Sequence, residues 1–280
     1  MSYLLSPKVD FVFKKIFGNE NNTKVLISFL NAVIKPDDLI KYVKIKNTDI
    51  EKEHIDDKYS RLDIKATTDK GENINVEIQV KNEFNMIKRT LYYWNKMYEG
   101  QIEQGDNYNK LERTICINIL DFKYLKCDNY HSEYRLKETK TNEQLTDLME
   151  LHFIEIPKLR ELDENEEVSD MLEAWISFIK NPESRVVDKL EMSVDEIKLA
   201  KDELSKMSAN SKERDRYEKR KEAMLERNSS LEMAEENGIK KGMIKVALNS
   251  IKNGLEDNLI ASLTNLSIEE IKELRKNNKN

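Results

Sequence analysis

The sequence is poor in residues that break helices, since its 280 residues include only 7 glycines and 4 prolines. So few breakers favour long helices and argue against a turn-rich β-sandwich. No apolar run approaches the roughly 18–20 residues that span a bilayer, so we exclude a transmembrane protein. The opening residues lack the basic and apolar regions of a secretory signal. The two cysteines, which form no disulfide framework, predict a reduced, cytoplasmic setting, and we expect no membrane partner.

Cysteine and histidine are also sparse. The two cysteines, Cys116 and Cys127, do not form a disulfide framework, and Cys116 lies in an apolar run that predicts a buried free thiol. The three histidines lack zinc-ligand spacing. Although 36% of the residues are charged, acidic residues outnumber basic ones, and the net charge is −6. Binding of nucleic acid would therefore require a local basic surface or metal ions.

Hydrophobic periodicity predicts a mixed α/β arrangement in the first part of the chain. Apolar residues at three- and four-residue spacing predict a helix from Val9 to Phe17. Thr23 is a candidate cap for a second helix through KVLISFLNAVI. Further on, the alternating runs RLDIKATT and NINVEIQV are joined by a glycine-containing turn. This pattern predicts a β-hairpin.

Another helix and two further strands follow in the pattern. Ile87, Leu91, Trp94 and Tyr98 have helical spacing and predict the apolar stripe of a helix. The compact run RTICINILDF predicts a central strand that is covered on both faces. LHFIEIPKL, around 151–159, predicts one more strand.

From about residue 164 onward only helical patterns occur. A long, highly charged stretch predicts an exposed or partner-packed helix, or a disordered segment. Three short patterns, MIKVALNSIKNG, LEDNLIASLTN and LSIEEIKELRK, follow it. We expect three segments: a core at 1–160, a helical extension packed on it at 161–205, and a charged helix with a small helical module at 206–280.

The hairpin carries the residues of chemical interest. Asp63 lies in its first run, and Glu77, Gln79 and Lys81 alternate with apolar residues in and after the second. Because side chains alternate across a strand, pairing around the turn would bring Asp63 and Glu77 to one face. Paired carboxylates repel unless a cation such as Mg²⁺ or Mn²⁺ binds between them. Alternatively, charged residues on a strand are ordinary solvent-facing positions.

The segment SRLDIKATTDKGENINVEIQV resembles the D…ExQ hairpin of the PD-(D/E)XK nuclease superfamily, and in particular its Rpn branch of recombination-promoting nucleases and transposases. The opening helices and the segment RTLYYWNKMYEGQIEQGDNYNKLERTICINILDF resemble the same branch, so the resemblance covers about the first 160 residues. It implies an α/β (α+β) fold: a restriction-endonuclease-like mixed β-sheet core flanked by helices, with an all-helical C-terminal extension.

The resemblance also implies roles for individual residues. Asp63 and Glu77 match the metal-binding acids, and Gln79 occupies the position where the superfamily usually has lysine. Lys81 could supply the missing positive charge. Asp10 matches an acid of the opening helix and is a further candidate metal ligand, or else a residue that caps or salt-bridges near the helix start.

Arg89 and Tyr93 are four residues apart on the helix after the hairpin and therefore share a face. The family resemblance suggests that both contact DNA, whereas pattern alone also allows a surface arginine and a packed tyrosine. The last helical patterns resemble a small helix-turn-helix, but their glutamates suit three-helix packing or oligomerisation at least as well.

These observations lead to three functional hypotheses. The first is a Mg²⁺- or Mn²⁺-dependent DNA endonuclease of the Rpn type, linked to recombination or mobile elements. The second is a nuclease-fold DNA-binding protein that turns over weakly or not at all. The third is an assembly protein that forms homo-oligomers through its helical segments.

Overall fold

The computed structural model describes residues 3–46, 64–163, 168 and 170–277. The strands in these residues form one six-stranded sheet with the order β1-β2-β3-β4-β6-β5. They are β1 (Val43–Lys46), β2 (Ile64–Thr68), β3 (Asn73–Gln79), β4 (Thr114–Leu120), β5 (His131–Arg135) and β6 (Met149–Glu155). β3, β4 and β6 are parallel, and the remaining neighbours pair antiparallel.

The predicted β-hairpin is confirmed as β2 and β3, which pair with Ile64 opposite Val76. Its turn returns through Gly71, whose φ of 84° lies in the left-handed region that glycine adopts without steric cost. The predicted central strand is confirmed as β4, all seven residues of which are buried. Parallel strands covered on both faces favour such continuous apolar runs.

The predicted strand at 151–159 is confirmed as β6, although it begins at Met149 and ends at Glu155. β5 was not predicted. Its sequence, HSEYR, is half-buried or exposed throughout and lacks the apolar alternation that indicates a strand. It forms because it pairs with the edge of β6, which is a tertiary effect.

The described residues also form α-helices. They are α1 (Asp10–Phe17), α2 (Lys24–Ile34), α3 (Met86–Glu99), α4 (Met171–Lys180), α5 (Arg185–Ser193), α6 (Asp195–Ala209), α7 (Ser211–Lys252), α8 (Asp257–Thr264) and α9 (Ile268–Asn277). In the described part of the chain, no helix combines the length and apolar character that crossing a membrane requires.

The first two helices lie where periodicity predicted them. Gly18 follows α1, and Lys35 ends α2 in a left-handed conformation. Thr23 does stand before α2, but its side chain makes no capping hydrogen bond, so the predicted cap is wrong. Its backbone is already helical, whereas a capping side chain needs an extended backbone to reach back to the helix.

The apolar stripe predicted for α3 is wrong by about one residue. The buried side chains are Met86, Thr90, Tyr93 and Met97, whereas Ile87 and Leu91 are exposed. Both sets have helical spacing, so periodicity alone does not distinguish them. Trp94 and Tyr98 stack on each other with ring centroids 4.8 Å apart and are half-buried.

The two faces of the sheet carry different layers. Isoleucines of β2, β3 and β4 pack with α1, α2 and α4 in the main hydrophobic core. On the opposite face, Cys116, Leu120, Leu151 and Phe153 pack with Met86 of α3. The predicted buried free thiol at Cys116 is confirmed, and burial raises its pKa.

Backbone contacts divide the chain into two units, Met1–Tyr217 and Glu218–Asn280. In the first, α6 packs on α1 and α2, and α4 packs on α2. In the second, Ala247, Ile260, Leu266 and Ile271 form a small core. The division at residues 160 and 205 stays a prediction.

The charged stretch forms α7, which is helical over 42 residues. The pattern MIKVALNSIKNG is the end of this helix and not a separate one, which corrects the prediction of three short helices. Gly254 follows α7 and Asn265 follows α8, and both residues have positive φ. Residues from the end of α7, from α8 and from α9 share the small core, as three-helix packing predicts.

Candidate active site

β3 positions the glutamate that the sequence singled out. Glu77 lies opposite Asn118 in the parallel register with β4, on the face of the sheet that α3 covers. Its apolar neighbours Val76 and Ile78 point into the main core on the other face. The predicted alternation along β3 is therefore confirmed at these positions. It does not make Glu77 a solvent-facing residue, because only 3% of the residue is exposed.

Two hydrogen bonds hold α3 against β4. The Thr90 hydroxyl donates to Asn118 Oδ1 at 2.9 Å, and Trp94 Nε1 donates to the carbonyl oxygen of Thr114 at 2.9 Å. Since Asn118 is the register partner of Glu77, the residue before Thr90 lies next to that glutamate. This residue is Arg89.

Arg89 forms an ion pair with Glu77, donating from Nη2 to Oε1. The second carboxylate oxygen, Oε2, is buried and has no hydrogen-bond partner among the described residues. Burial raises the pKa of the Glu77 carboxyl, and the charge and hydrogen bond of Arg89 oppose that rise. The site is thus a buried carboxylate in which Arg89 binds one oxygen, while the other oxygen can accept a bond from a ligand.

Arg89 and Tyr93 share a face of α3, as their spacing predicted. The Arg89 guanidinium lies over the Tyr93 ring, 5.5 Å from its centroid. Tyr93 is buried, in line with the packed alternative, and Arg89 is largely covered with 18% of its side chain exposed. The cation–π contact adds to the ion pair with Glu77 in holding the guanidinium in place.

The other predicted site residues lie in different settings. Gln79 is the last residue of β3 and is half-buried. Lys81 lies in the bend that follows, so strand alternation does not set the direction of its side chain. Asp10 begins α1, and its Oδ1 accepts a hydrogen bond from the backbone N–H of Phe11 at 2.8 Å. Asp63 lies outside the described residues.

Sequence reasoning missed the pair of Thr90 and Asn118, which fixes Arg89 beside Glu77. Asn118 did leave a signal, because it is a polar residue within the apolar run ICINIL. Thr90 left none, since its burial depends on how α3 packs. Both residues are at most 2% exposed.

The donor atoms on β3 suit a hard cation. A buried carboxylate oxygen without a partner is a ligand of the type that Mg²⁺ prefers, and an amide oxygen is another. Among the described residues, no three acidic, histidine or cysteine side chains lie close enough together to hold a metal ion. Glu77 can therefore take part in a metal site only if the remaining ligands are not a cluster of such side chains among the described residues.

Comparison with protein families gives a match over most of the chain. The family model described as PD-(D/E)XK nuclease family transposase matches residues 7–234. The chain belongs to this family. Neither the curated proteins nor the solved structures yielded a match.

Membership of the PD-(D/E)XK nuclease family confirms the superfamily resemblance and the α/β fold that it implied. A nuclease- or transposase-like role follows from it, with DNA as the expected partner and divalent metals as the typical cofactors. The narrower assignment to the Rpn branch stays a prediction.

Proposed function

We propose that this PD-(D/E)XK family protein is a Mg²⁺- or Mn²⁺-dependent DNA endonuclease of the Rpn type, which acts in the cytoplasm in recombination or on mobile elements. Family membership supports the nuclease role. The observation that carries the metal dependence is the buried Oε2 of Glu77, which lacks a hydrogen-bond partner among the described residues. A buried acceptor of this kind costs stability unless a ligand binds it.

In this proposal, Asp63 and Glu77 hold the cation, and Asp10 is a further candidate ligand. The support for Asp63 is its place in the chain. It precedes Ile64, and Ile64 pairs with Val76, the neighbour of Glu77. When bound, a divalent ion supplies an activated water and stabilises negative charge on the phosphate.

The remaining residues would bind and orient the substrate. The Gln79 amide can accept and donate hydrogen bonds, so it can orient a water molecule or contact a phosphate oxygen, although it brings no positive charge. We assign that charge to Lys81 and Arg89. Arg89 bonds to Glu77 in this structure, so contact with a phosphate requires its guanidinium to change partners or to share them.

A second candidate is a nuclease-fold protein that binds DNA or assembles into homo-oligomers without useful turnover. The Arg89–Glu77 ion pair favours this candidate, because it neutralises the carboxylate without a metal. The glutamine at position 79 favours it as well.

Nicking of supercoiled plasmid with Mg²⁺ or Mn²⁺, against an EDTA control, separates the two candidates. We expect metal-dependent nicking by the parental protein and its loss in Glu77→Gln and Asp63→Asn. Glu143→Gln, at an exposed position beyond β5, is the matched control and should nick at the parental rate. Binding without nicking under all metal conditions would favour the second candidate, and light scattering would then test assembly.

A further inference from the structure

One face of the sheet carries an unbalanced group of lysines beside Glu77. Lys46 of β1 lies opposite Lys65 of β2, and Lys65 lies opposite Asn75 of β3. Directly opposed residues point to the same face, and Asn75 shares its face of β3 with Glu77. Lys44 is two residues before Lys46 and therefore joins the set. We call Lys44, Lys46 and Lys65 the lysine face.

The lysine face has no acidic partner within the described residues. None of its three ammonium groups forms an ion pair there, whereas Lys8 pairs with Asp121 and Lys70 with Asp38 elsewhere in the same unit. Lys46 Nζ donates to a neutral acceptor, Asn73 Oδ1, at 3.3 Å.

The opposed lysines also repel. Like charges directly opposite each other on neighbouring strands destabilise a sheet. Lys65 is half-buried, so its charge is screened less than that of a fully exposed lysine. A bound anion would remove the repulsion between the two strands.

The lysine face is accessible from the side on which the candidate site lies. Lys44 and Lys46 are exposed, while α3 packs against β4, two strands away from β2. Along β1, the two lysines are separated by about 7 Å, as expected for residues i and i+2 of a strand. A charged strip of this kind, next to a buried carboxylate, matches the repeated negative charges of a nucleic-acid backbone.

We propose that the lysine face binds the phosphodiester backbone of duplex DNA and positions it against Glu77. This inference rests on the proposed nuclease function and adds to it the surface that orients the substrate. Lys44, Lys46 and Lys65 act here as positioning residues, since they contact phosphates and not the reacting atoms.

The test is the salt dependence of binding to a short labelled DNA duplex in EDTA, where cleavage does not interfere. The triple variant Lys44→Gln, Lys46→Gln, Lys65→Gln removes three phosphate contacts. The plot of log K against log salt concentration should become shallower by about 3, because each phosphate contact contributes roughly 0.9 to its steepness. Binding should weaken on the order of tenfold. The matched control replaces Lys126, Lys137 and Lys140, which are exposed and have no ion pair among the described residues, with glutamine. It should keep the parental slope.

Equal changes in both triple variants would overturn the proposal, because they would show a response to net charge alone. Unchanged binding in the lysine-face variant would overturn it too. If the half-buried Lys65→Gln prevents folding, the double variant at the exposed Lys44 and Lys46 should still lose about 2 in slope. A parental protein that binds the duplex through the lysine face but never nicks plasmid would contradict the proposed nuclease function and leave this inference standing.

Discussion

Glu77 and Glu150 are both buried glutamates of the same sheet, but they lie on opposite faces and differ in the partners of their carboxylate oxygens. Glu150 lies opposite Ile115 on the main-core face, and both of its oxygens have partners. Oε1 accepts from His152 Nε2 at 2.7 Å, and Oε2 accepts from Arg113 and Arg135. Glu77 has one arginine and one oxygen without a partner among the described residues.

The pKa directions of the two acids express this difference. Burial tends to raise the pKa of Glu150, but the hydrogen bonds and charges of His152 and Arg113 outweigh it and lower the pKa to about 2. At Glu77, burial outweighs the single arginine and raises the pKa. The fold therefore favours the ionised form of Glu150 and disfavours that of Glu77. The first acid stabilises the structure, while the second is suited to a ligand.

The same substitution at both positions should separate these roles most strongly. The lowered pKa of Glu150 means that the fold stabilises its ionised form by about 3 kcal/mol, at about 1.4 kcal/mol per pKa unit. Glu150→Gln removes this contribution to the free energy of unfolding. Glu77→Gln keeps an acceptor for Arg89 and removes a charge that burial disfavours, so its stability should change by less than about 1 kcal/mol. Urea unfolding of both variants in EDTA measures the difference. Equal losses would mean that both acids are structural.

Added metal should affect the two variants in the opposite order, with Glu77→Gln the more altered of the two. A ligand that binds only the folded state stabilises it, by about 2.7 kcal/mol at a concentration a hundred times its dissociation constant. We expect added Mg²⁺ or Mn²⁺ to raise the melting temperature of the parental protein and of Glu150→Gln, but not that of Glu77→Gln. Stabilisation of Glu77→Gln equal to that of the parent would remove Glu77 from the metal site.

The cluster around Glu150 should also determine part of the acid sensitivity. His131 Nε2 lies 2.9 Å from His152 Nδ1, and His152 Nε2 in turn donates to Glu150. Burial, then the charges of His152 and Lys35, lower the pKa of His131 to about 4, against nearby Asp170 and Glu150. The unfolded chain therefore binds a proton near pH 6.5 that the folded chain takes up only near pH 4.

Stability should accordingly fall as the pH drops through this window, by on the order of 1–2 kcal/mol once partial exposure is taken into account. His131→Gln should lose less stability than the parent between about pH 6.5 and 4, as measured by urea unfolding at several pH values. Identical pH profiles would show that His131 titrates alike in both states.

The contrast between the two acids also shows how far sequence reasoning reaches. Periodicity located α1, α2, the hairpin and β4, because local spacing determines which face of each element is buried. The motif identified Glu77. Its ion pair with Arg89 could not be predicted from spacing, because the pair depends on α3 returning over the sheet and on the bond between Thr90 and Asn118. The cluster around Glu150 is tertiary in the same way, since β5 itself was not recognised.

Gln79→Lys should have the smallest effect and tests the boundary of the site. Gln79 is half-buried at the end of β3, so a long side chain can extend toward solvent, and stability should stay within about 0.5 kcal/mol of the parent. The new ammonium would favour negative charge on a phosphate but would repel a divalent cation. We therefore expect nicking to stay metal-dependent, with a higher metal concentration at half-maximal activity. Gln79→Met, which has similar length and no charge, is the matched control. Loss of folding in both variants would show that position 79 is part of the packed core and not of the substrate surface.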